Sequence, residues 1–373
     1  MAIHKTLLLL LVLIPLSTVE SAEPELSVSV AKQQILLRSG QYGLDYFPDQ
    51  PVAVVGQRPL RCFMTVGNRT VAFQGKNWNS LRPGKTVLAK GAKGSFDNGY
   101  AGVGGVYVMG RKMFVFYHAE DHEGLQRSEY TKQQTFKSSV ALAVSDGGTS
   151  FRKRGQILTS KHPKKPDSLC GGIGDISICV DKTNTYLLAH YVDYSRFAGR
   201  GVQTCVARSE ITDDGMPGTW KKYFKGRFSE PGLGGEETHI LSWWGNMGDR
   251  KGDAYSPHVV YSKQLGKYLM VFNGVSYAEV RKGKEARNPR VSGIYLTSSD
   301  DAIHWGKATQ LFASHSIILN RHRLVVHPSI HILSENRKTV TAILLYGHSP
   351  RWGVPKEGNI PHHLASRTLT ISL

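Results

Sequence analysis

Carboxylates and imidazoles recur in this chain where apolar runs begin or end. Asp175 lies in Gly-Gly-Ile-Gly-Asp-Ile-Ser, and Glu120 follows an aromatic run, Phe114 to His118, where no turn requires a glutamate. Asp253 and Glu237 precede another such run. His118, His190 and His327 sit at the edges of others, and Tyr255, Trp243 and Trp244 add aromatic faces. Aromatic faces stack on pyranose rings. Two carboxylates in unlike environments supply a protonated acid and an ionised base or nucleophile. The chemistry such a set serves is general acid–base cleavage of a glycosidic bond. In that reading Asp175 is the base, or tunes its partner, and Glu120 is the acid. Each residue also has a plainer role. Asp at a turn edge commonly caps backbone amides, and a lone histidine is more often a hydrogen-bonded wall residue than a ligand.

The elements that must position these groups are β-hairpins. In Gly174 to Tyr191, Ile176, Ile178 and Val180 alternate with polar residues, a polar turn follows, and a second apolar run returns. Period-two spacing around a short turn reads as a hairpin. Similar hairpins align Pro51, Gly104, Pro257 and Pro328 with Ile176. Each is followed by a third strand. Two of those end in Asp-box turns, Ser145 to Phe151 and Ser299 to Trp305, where Asp caps the turn by accepting backbone N–H bonds and an aromatic packs beneath. One such sheet cannot bury both faces, whereas five arranged radially bury them against one another. The expected fold is all-β: a five-bladed β-propeller with four-stranded antiparallel blades around a central channel. Residues 1–21 are set apart, and 22–373 form one domain with blades near 41–92, 93–160, 167–228, 250–314 and 322–373. Ser27 to Leu37 would close the last blade.

Strand direction gathers the chemistry. Residues before first strands (Asp49, Asp175, Asp253, Tyr255, His327) and after second strands (His118, Glu120, His190) should share one face. The insertion Glu230 to Gly252, with Glu237, Trp243 and Trp244, should overhang it.

Composition narrows the setting. Residues 1–21 carry Lys5, an apolar core and small residues before Ala22, as in a secretory signal peptide. No later stretch approaches about 18 apolar residues, the minimum for a membrane-spanning helix. A secreted or periplasmic monomer without a membrane span is expected. The net charge of +18 draws polyanions. For an exported protein an acidic or sulfated glycan is the expected partner, and nucleic acid is not. Four cysteines, Cys62, Cys170, Cys179 and Cys205, allow three full pairings, or stand as buried thiols.

Two hairpins carry a family resemblance. Gly174 to Tyr191 resembles the inner hairpin of the five-bladed glycoside hydrolases, the clan of arabinanases, xylosidases, levansucrases and invertases. Asp175 matches the aspartate of their Asp-Pro, with Ile176 in place of proline. Tyr255-Ser256-Pro257-His258 resembles their Glu-Gly-Pro-His, so tyrosine stands at the acid position. Val103 stands where another hairpin of the family has Asp, and His327-Pro328 falls where the clan often keeps a histidine. The resemblance implies either a glycosidase whose acids have moved to Glu120, Asp253 or Glu237, or a protein that is not a standard hydrolase; the residues themselves offer Tyr255, His327, His118, His190, Trp243 and Trp244 as substrate contacts. No cofactor is required, and a central Ca²⁺ stays open. Two alternatives stand beside it: a sialidase-like exo-glycosidase, and a secreted glycan-binding propeller without catalysis.

Overall fold

A computed structural model describes residues 26–372, apart from 128–133, 166–167, 196–201, 242–251, 282–283, 288–291, 317–320, 323 and 350–361. The proposed signal peptide, Trp243 and Trp244 lie outside the described residues. The described chain is β-strand with short 3-10 turns. No helix in it is long and apolar enough to cross a membrane.

Two short strands open the order, β1 (Ser27–Val30) and β2 (Gln34–Leu37). The first four-stranded unit is β3 (Ala53–Gln57), β4 (Leu60–Val66), β5 (Arg69–Gly75) and β6 (Arg82–Leu88). The second is β7 (Tyr100–Met109), β8 (Lys112–Asp121), β9 (Phe136–Asp146) and β10 (Arg152–Leu158). The third is β11 (Cys170–Val180), β12 (Tyr186–Asp193), β13 (Gln203–Glu210) and β14 (Lys221–Phe224), with β15 (Arg227–Pro231) added outside. In the fourth, β16 (Gly252–Ser262) and β17 (Lys267–Arg281) carry a ribbon strand, β18 (Lys284–Arg287), before β19 (Gly293–Ser299) and β20 (Thr309–Ala313). A two-stranded ribbon, β21 (His315–Ser316) and β22 (Arg321–His322), leads to β23 (Leu324–Glu335), β24 (Thr339–Ser349) and β25 (His363–Ser372). Strand β1 pairs antiparallel with β25, from Ser27 opposite Ser372 to Val30 opposite Leu369. The last unit thus gains its fourth strand from the front of the chain.

Packing shows how the units sit. Five apolar clusters each straddle two neighbouring units. Phe63 of the first packs with Val103 and Tyr117 of the second. Phe116 and Leu142 of the second meet Ile176 and Trp220 of the third. Leu188 meets Met270 and Trp305 across the next seam, and Val271 meets Ile330 and Tyr346 across the fourth. The series closes where Leu345 and Leu364 of the last unit pack on Cys62 and Phe73 of the first. Seams that return to their origin are those of a propeller, and removing each large side chain from water contributes about 1.5–3 kcal/mol. The inner strands β7 and β11 approach so closely that a Cβ at Gly104 would lie 2.1 Å from Ile176 O.

In the turn Ser145 to Phe151 the cap is the Ser145 hydroxyl, which accepts from Gly148 N at 3.1 Å above buried Phe151, and in Ser299 to Trp305 an aspartate caps as the sequence implies. Ser299 Oγ accepts from Ala302 N at 2.9 Å, Asp301 Oδ1 accepts from Ile303 N at 2.9 Å, and Trp305 is buried beneath. All four cysteines are free thiols. None of the pairings that four cysteines allow is formed, and placement is the reason: Cys62, Cys205, Cys179 and Cys170 each belong to a different apolar cluster, with no second cysteine in it.

Candidate active site at the propeller axis

The inner hairpins share a defect that builds the site. Pairing slips between Gly174 and Ser177, between Tyr255 and His258, and between Val326 and Ser329. The residues at these bulges adopt left-handed backbone: Asp175 at φ 43°, Ser256 at φ 51° and His327 at φ 52°. None is glycine, so each holds strain on the order of 1–2 kcal/mol that the surrounding sheet must offset. A bulge re-aims a side chain out of the ladder. Here three equivalent bulges present three polar side chains to one another.

Asp175 is the hub. Its Oδ1 accepts from Gln50 Nε2 at 2.9 Å and its Oδ2 from Ser256 Oγ at 2.7 Å. Its backbone N donates to His118 Nδ1 at 3.1 Å, and the same ring nitrogen lies 3.4 Å from Oδ1. The other edge of His118 faces Glu120, with Nε2 at 3.3 Å from Oε1. Glu120 Oε2 in turn meets His122 Nε2 at 2.6 Å. On the other side Ser256 Oγ lies 3.2 Å from His327 Nδ1, and His327 Nε2 lies 3.4 Å from Asp49 Oδ1. Side-chain exposure rises outward along the first arm, from 4% at Asp175 and 2% at His118 to 13% at Glu120 and 28% at His122. His327 and Asp49 reach solvent as well, at 14% and 18%. Two carboxylate-backed histidines therefore face the mouth above a buried carboxylate. One imidazole bridges Asp175 and Glu120, which keeps their carboxyl groups inside the upper limit of about 9.5 Å for glycosidase pairs.

Electrostatics sets the protonation states. Burial acts to raise Asp175, but hydrogen bonds and charge from His118, His327 and Gln50 overcome it and hold the carboxyl well below the usual range. Glu120 is likewise lowered against burial by His118 and His122. Burial acts to lower His118, and the two carboxylates beside it outweigh that and raise it to about 9. The added proton would sit on Nδ1 opposite Asp175 Oδ1, displacing the amide contact. Tyr46, Tyr100 and Tyr194 are pushed well up by burial and then by Asp49, Asp175 and Glu120, so their phenols stay neutral donors. Tyr100 packs its ring 5.4 Å from that of His118 and donates to Asp49 O at 2.8 Å.

The sequence reading and the structure part at several residues. Glu120 joins the axial cluster, where His118 and His122 favour its ionised form against burial. Asp253 is buried and accepts from Val202 N at 2.8 Å, tying β16 to the segment before β13. Glu237 pairs with the fully buried Lys222, which also donates to Thr159 O and Gly235 O. Burial raises Glu237, so an acid-like carboxyl exists, but in that outer cluster. His190 lies in mid-strand opposite Ser177, wholly buried, its ring against Trp305 and its Nε2 beside Ala302 O at 3.0 Å. Its expected place at the mouth is corrected, because β12 continues three residues beyond it. Tyr255 packs on Val192, Tyr194 and Val202 next to Ser256. Gln50 and Ser256 join the site beyond the residues expected there, and His122, expected on the same face after the second strand, joins through Glu120. The alignment column held the signal for two of them, since Gln50 and Ser256 occupy the position of Asp175 in their own repeats.

Among the described residues no three or more His, Cys, Asp or Glu side chains are grouped to hold a metal ion. Asp175 already engages both oxygens with Gln50 and Ser256.

Comparison with known proteins finds no matching family model and no matching curated protein. Solved structures do match. An endo-arabinase from Bacteroides thetaiotaomicron aligns with a TM-score of 0.50 at 11% identity, covering 88% of this chain and 96% of that one. An α-L-arabinofuranosidase from Lactobacillus brevis aligns with a TM-score of 0.53 at 10% identity, over 88% and 94%. An N-acetylgalactosamine deacetylase from F. plautii, in complex with blood group B trisaccharide, aligns with a TM-score of 0.53 at 12% identity, over 92% and 95%. At these identities the likeness is one of architecture: the chain has the β-propeller fold on which glycoside hydrolases of the arabinanase type are built.

Proposed function

We propose that this protein is an exported hydrolase acting on a glycan, with cleavage of a glycosidic bond as its reaction and an acidic or sulfated poly- or oligosaccharide as its substrate class. The observation that carries the reading is the pair of carboxylate-backed histidines, His122 with Glu120 and His327 with Asp49, above buried Asp175 at the axis. A histidine oriented by a carboxylate is a competent proton carrier near neutral pH. One histidine takes the proton of the attacking water as the bond to the anomeric carbon forms. The other gives a proton to the leaving oxygen. Asp175 stays ionised and stabilises positive charge on His118 and on the sugar. The +18 charge supports an anionic substrate, and the leader-like residues 1–21 support export.

A second reading is removal of an acyl group from a sugar. It is favoured by the axial carboxyls both being held ionised, and by a deacetylase having this fold. Incubation of the full chain with acidic, sulfated and acylated glycans separates the readings. New reducing ends uphold glycosidic cleavage, and released acetate without reducing ends moves the assignment to deacylation. Retention on a glycan column with neither product makes the protein a binding propeller. In the first two cases His122→Gln is expected to lower the rate by about 10²–10⁴-fold.

A further inference from the structure

The axis has a second end. Farther along the inner strands, toward their hairpin turns, lies a cavity of ≈ 340 Å³. Ala53 on β3, Val106 on β7, Cys179 on β11, His258 on β16 and His331 on β23 contribute to its wall. It shares β11, β16 and β23 with the active-site candidate and lies on the opposite side of their bulges.

The polar lining is mostly cationic or donor-rich. The rings of His258 and His331 meet edge to face at 4.9 Å. His258 Nδ1 accepts from Ile330 N at 3.3 Å, which leaves its proton on Nε2. His331 Nε2 is buried with no hydrogen-bond partner among the described residues. A buried polar atom in that state asks for a ligand, a water or a proton. Lys182 and Lys263 are exposed at the rim, and Lys182 Nζ donates to Asp300 O at 3.0 Å with further N–H groups to offer. Asp181 also lines the cavity, but its oxygens accept from the amides of Thr183, Thr185 and Tyr186 and from the Thr183 hydroxyl, which holds its charge in the turn. Asn184 and Tyr261 complete the polar surroundings, and the Cys179 thiol is kept protonated by burial.

We propose that this rear cavity binds a small tetrahedral oxyanion, sulfate or a sulfate ester, between His258 and His331 and beneath Lys182 and Lys263. The other ring nitrogen of His331 donates to the Val52 carbonyl, so to donate from Nε2 as well the ring must gain a proton from solvent, and the anion supplies the counter-charge that the pair otherwise lacks. In the free protein burial disfavours that proton and outweighs a hydrogen bond to the Val52 backbone that favours it, so His331 is lowered to about 4. Binding raises its proton affinity, so the complex takes up a proton and tightens as pH falls from about 6.5 toward 4. The site is separate from the hydrolytic reading and does not depend on it.

Calorimetric titration of the full chain with sodium sulfate, and separately with a sulfated monosaccharide, tests this at about pH 5 and about pH 7.5. Saturable binding about tenfold tighter at the lower pH is expected, with uptake of about one proton measured from the buffer dependence of the heat. Equal affinity for both probes identifies the free anion as ligand, tighter sugar sulfate identifies the ester, and either upholds the site. His331→Gln should remove the pH dependence and weaken binding at pH 5 by about tenfold. If that variant fails to fold, Lys263→Glu at the exposed rim decides, with a loss of about fivefold or more expected. Absence of saturable heat at pH 5, equal affinity at the two pH values, or unchanged binding in the variant that folds overturns the proposal.

Discussion

At the scale of single residues, the protein is organised by charge balance at the axis. Asp175 accepts two side-chain hydrogen bonds and faces His118, so its charge is fixed and buried. Replacing it with Asn keeps the shape and removes the charge that sustains His118. Activity on the glycan identified by the screen should fall by about 10²-fold or more, with KM little changed. A variant with full kcat would remove Asp175 from the mechanism. The same groups make stability depend on pH. His118 has a folded-state pKa of about 9, above its unfolded value of about 6.5. Its contribution is complete below the unfolded value and disappears as pH rises through 9. His190 and His331 are lowered to about 4 by burial, so their effect has the opposite sign: stability is lost as pH falls from about 6.5 toward 4. Thermal unfolding midpoints should therefore peak near about pH 6.5 and decline on both sides. His118→Gln should flatten the alkaline limb. A midpoint that keeps rising to pH 9 in the wild type contradicts the charge assignment at His118.

The element that matters is the bulged inner strand. Regular pairing would turn Asp175, Ser256 and His327 into ladder residues; the slip and the left-handed backbone turn them toward each other. Small residues make room for this. A Cβ at Gly174 would lie 2.4 Å from His118 Nδ1, and one at Gly104 would lie 2.1 Å from Ile176 O. The two substitutions should separate function from stability. Gly174→Ala pushes the His118 ring off Asp175 and should lower activity by tenfold or so with a modest loss of stability. Gly104→Ala meets backbone that cannot move aside, and should destabilise by about 1–3 kcal/mol in urea unfolding. Equal effects of both on the urea midpoint, with activity untouched by Gly174→Ala, would argue against His118 as a member of the working site.

For the whole molecule, closure is the central event. The last unit is completed by β1, and the first unit packs on the last through Leu345, Leu364, Cys62 and Phe73. A chain lacking residues up to Val30 exposes the edge of β25 and removes Leu26, Val28 and Val30 from the seam between the fourth and last units. It should unfold at a midpoint several degrees lower, on the order of 2–4 °C per kcal/mol lost for a domain of this size. It should also self-associate through the open edge, as gel filtration would report. An unchanged midpoint would mean that β2, which also pairs with β25, is sufficient for closure.

What the amino-acid order determined by itself was the repeating hairpin. Alternation of apolar and polar residues is a local property, and so are the Asp-box turns, the all-β class and the column that holds Gln50, Asp175, Ser256 and His327. The choice among candidate acids was decided only in three dimensions. Gln50 and Ser256 lie 125 and 81 residues from Asp175 yet donate to it. Protonation at the axis depends on such distant neighbours. Glu237 and His190 look in sequence like members of the same face, but one is held by Lys222 and the other by Trp305. A residue's type and its place in a strand follow from short-range pattern. Its charge state and its partner follow from which strands of other units are brought against it, and that information exists only once the ring has closed.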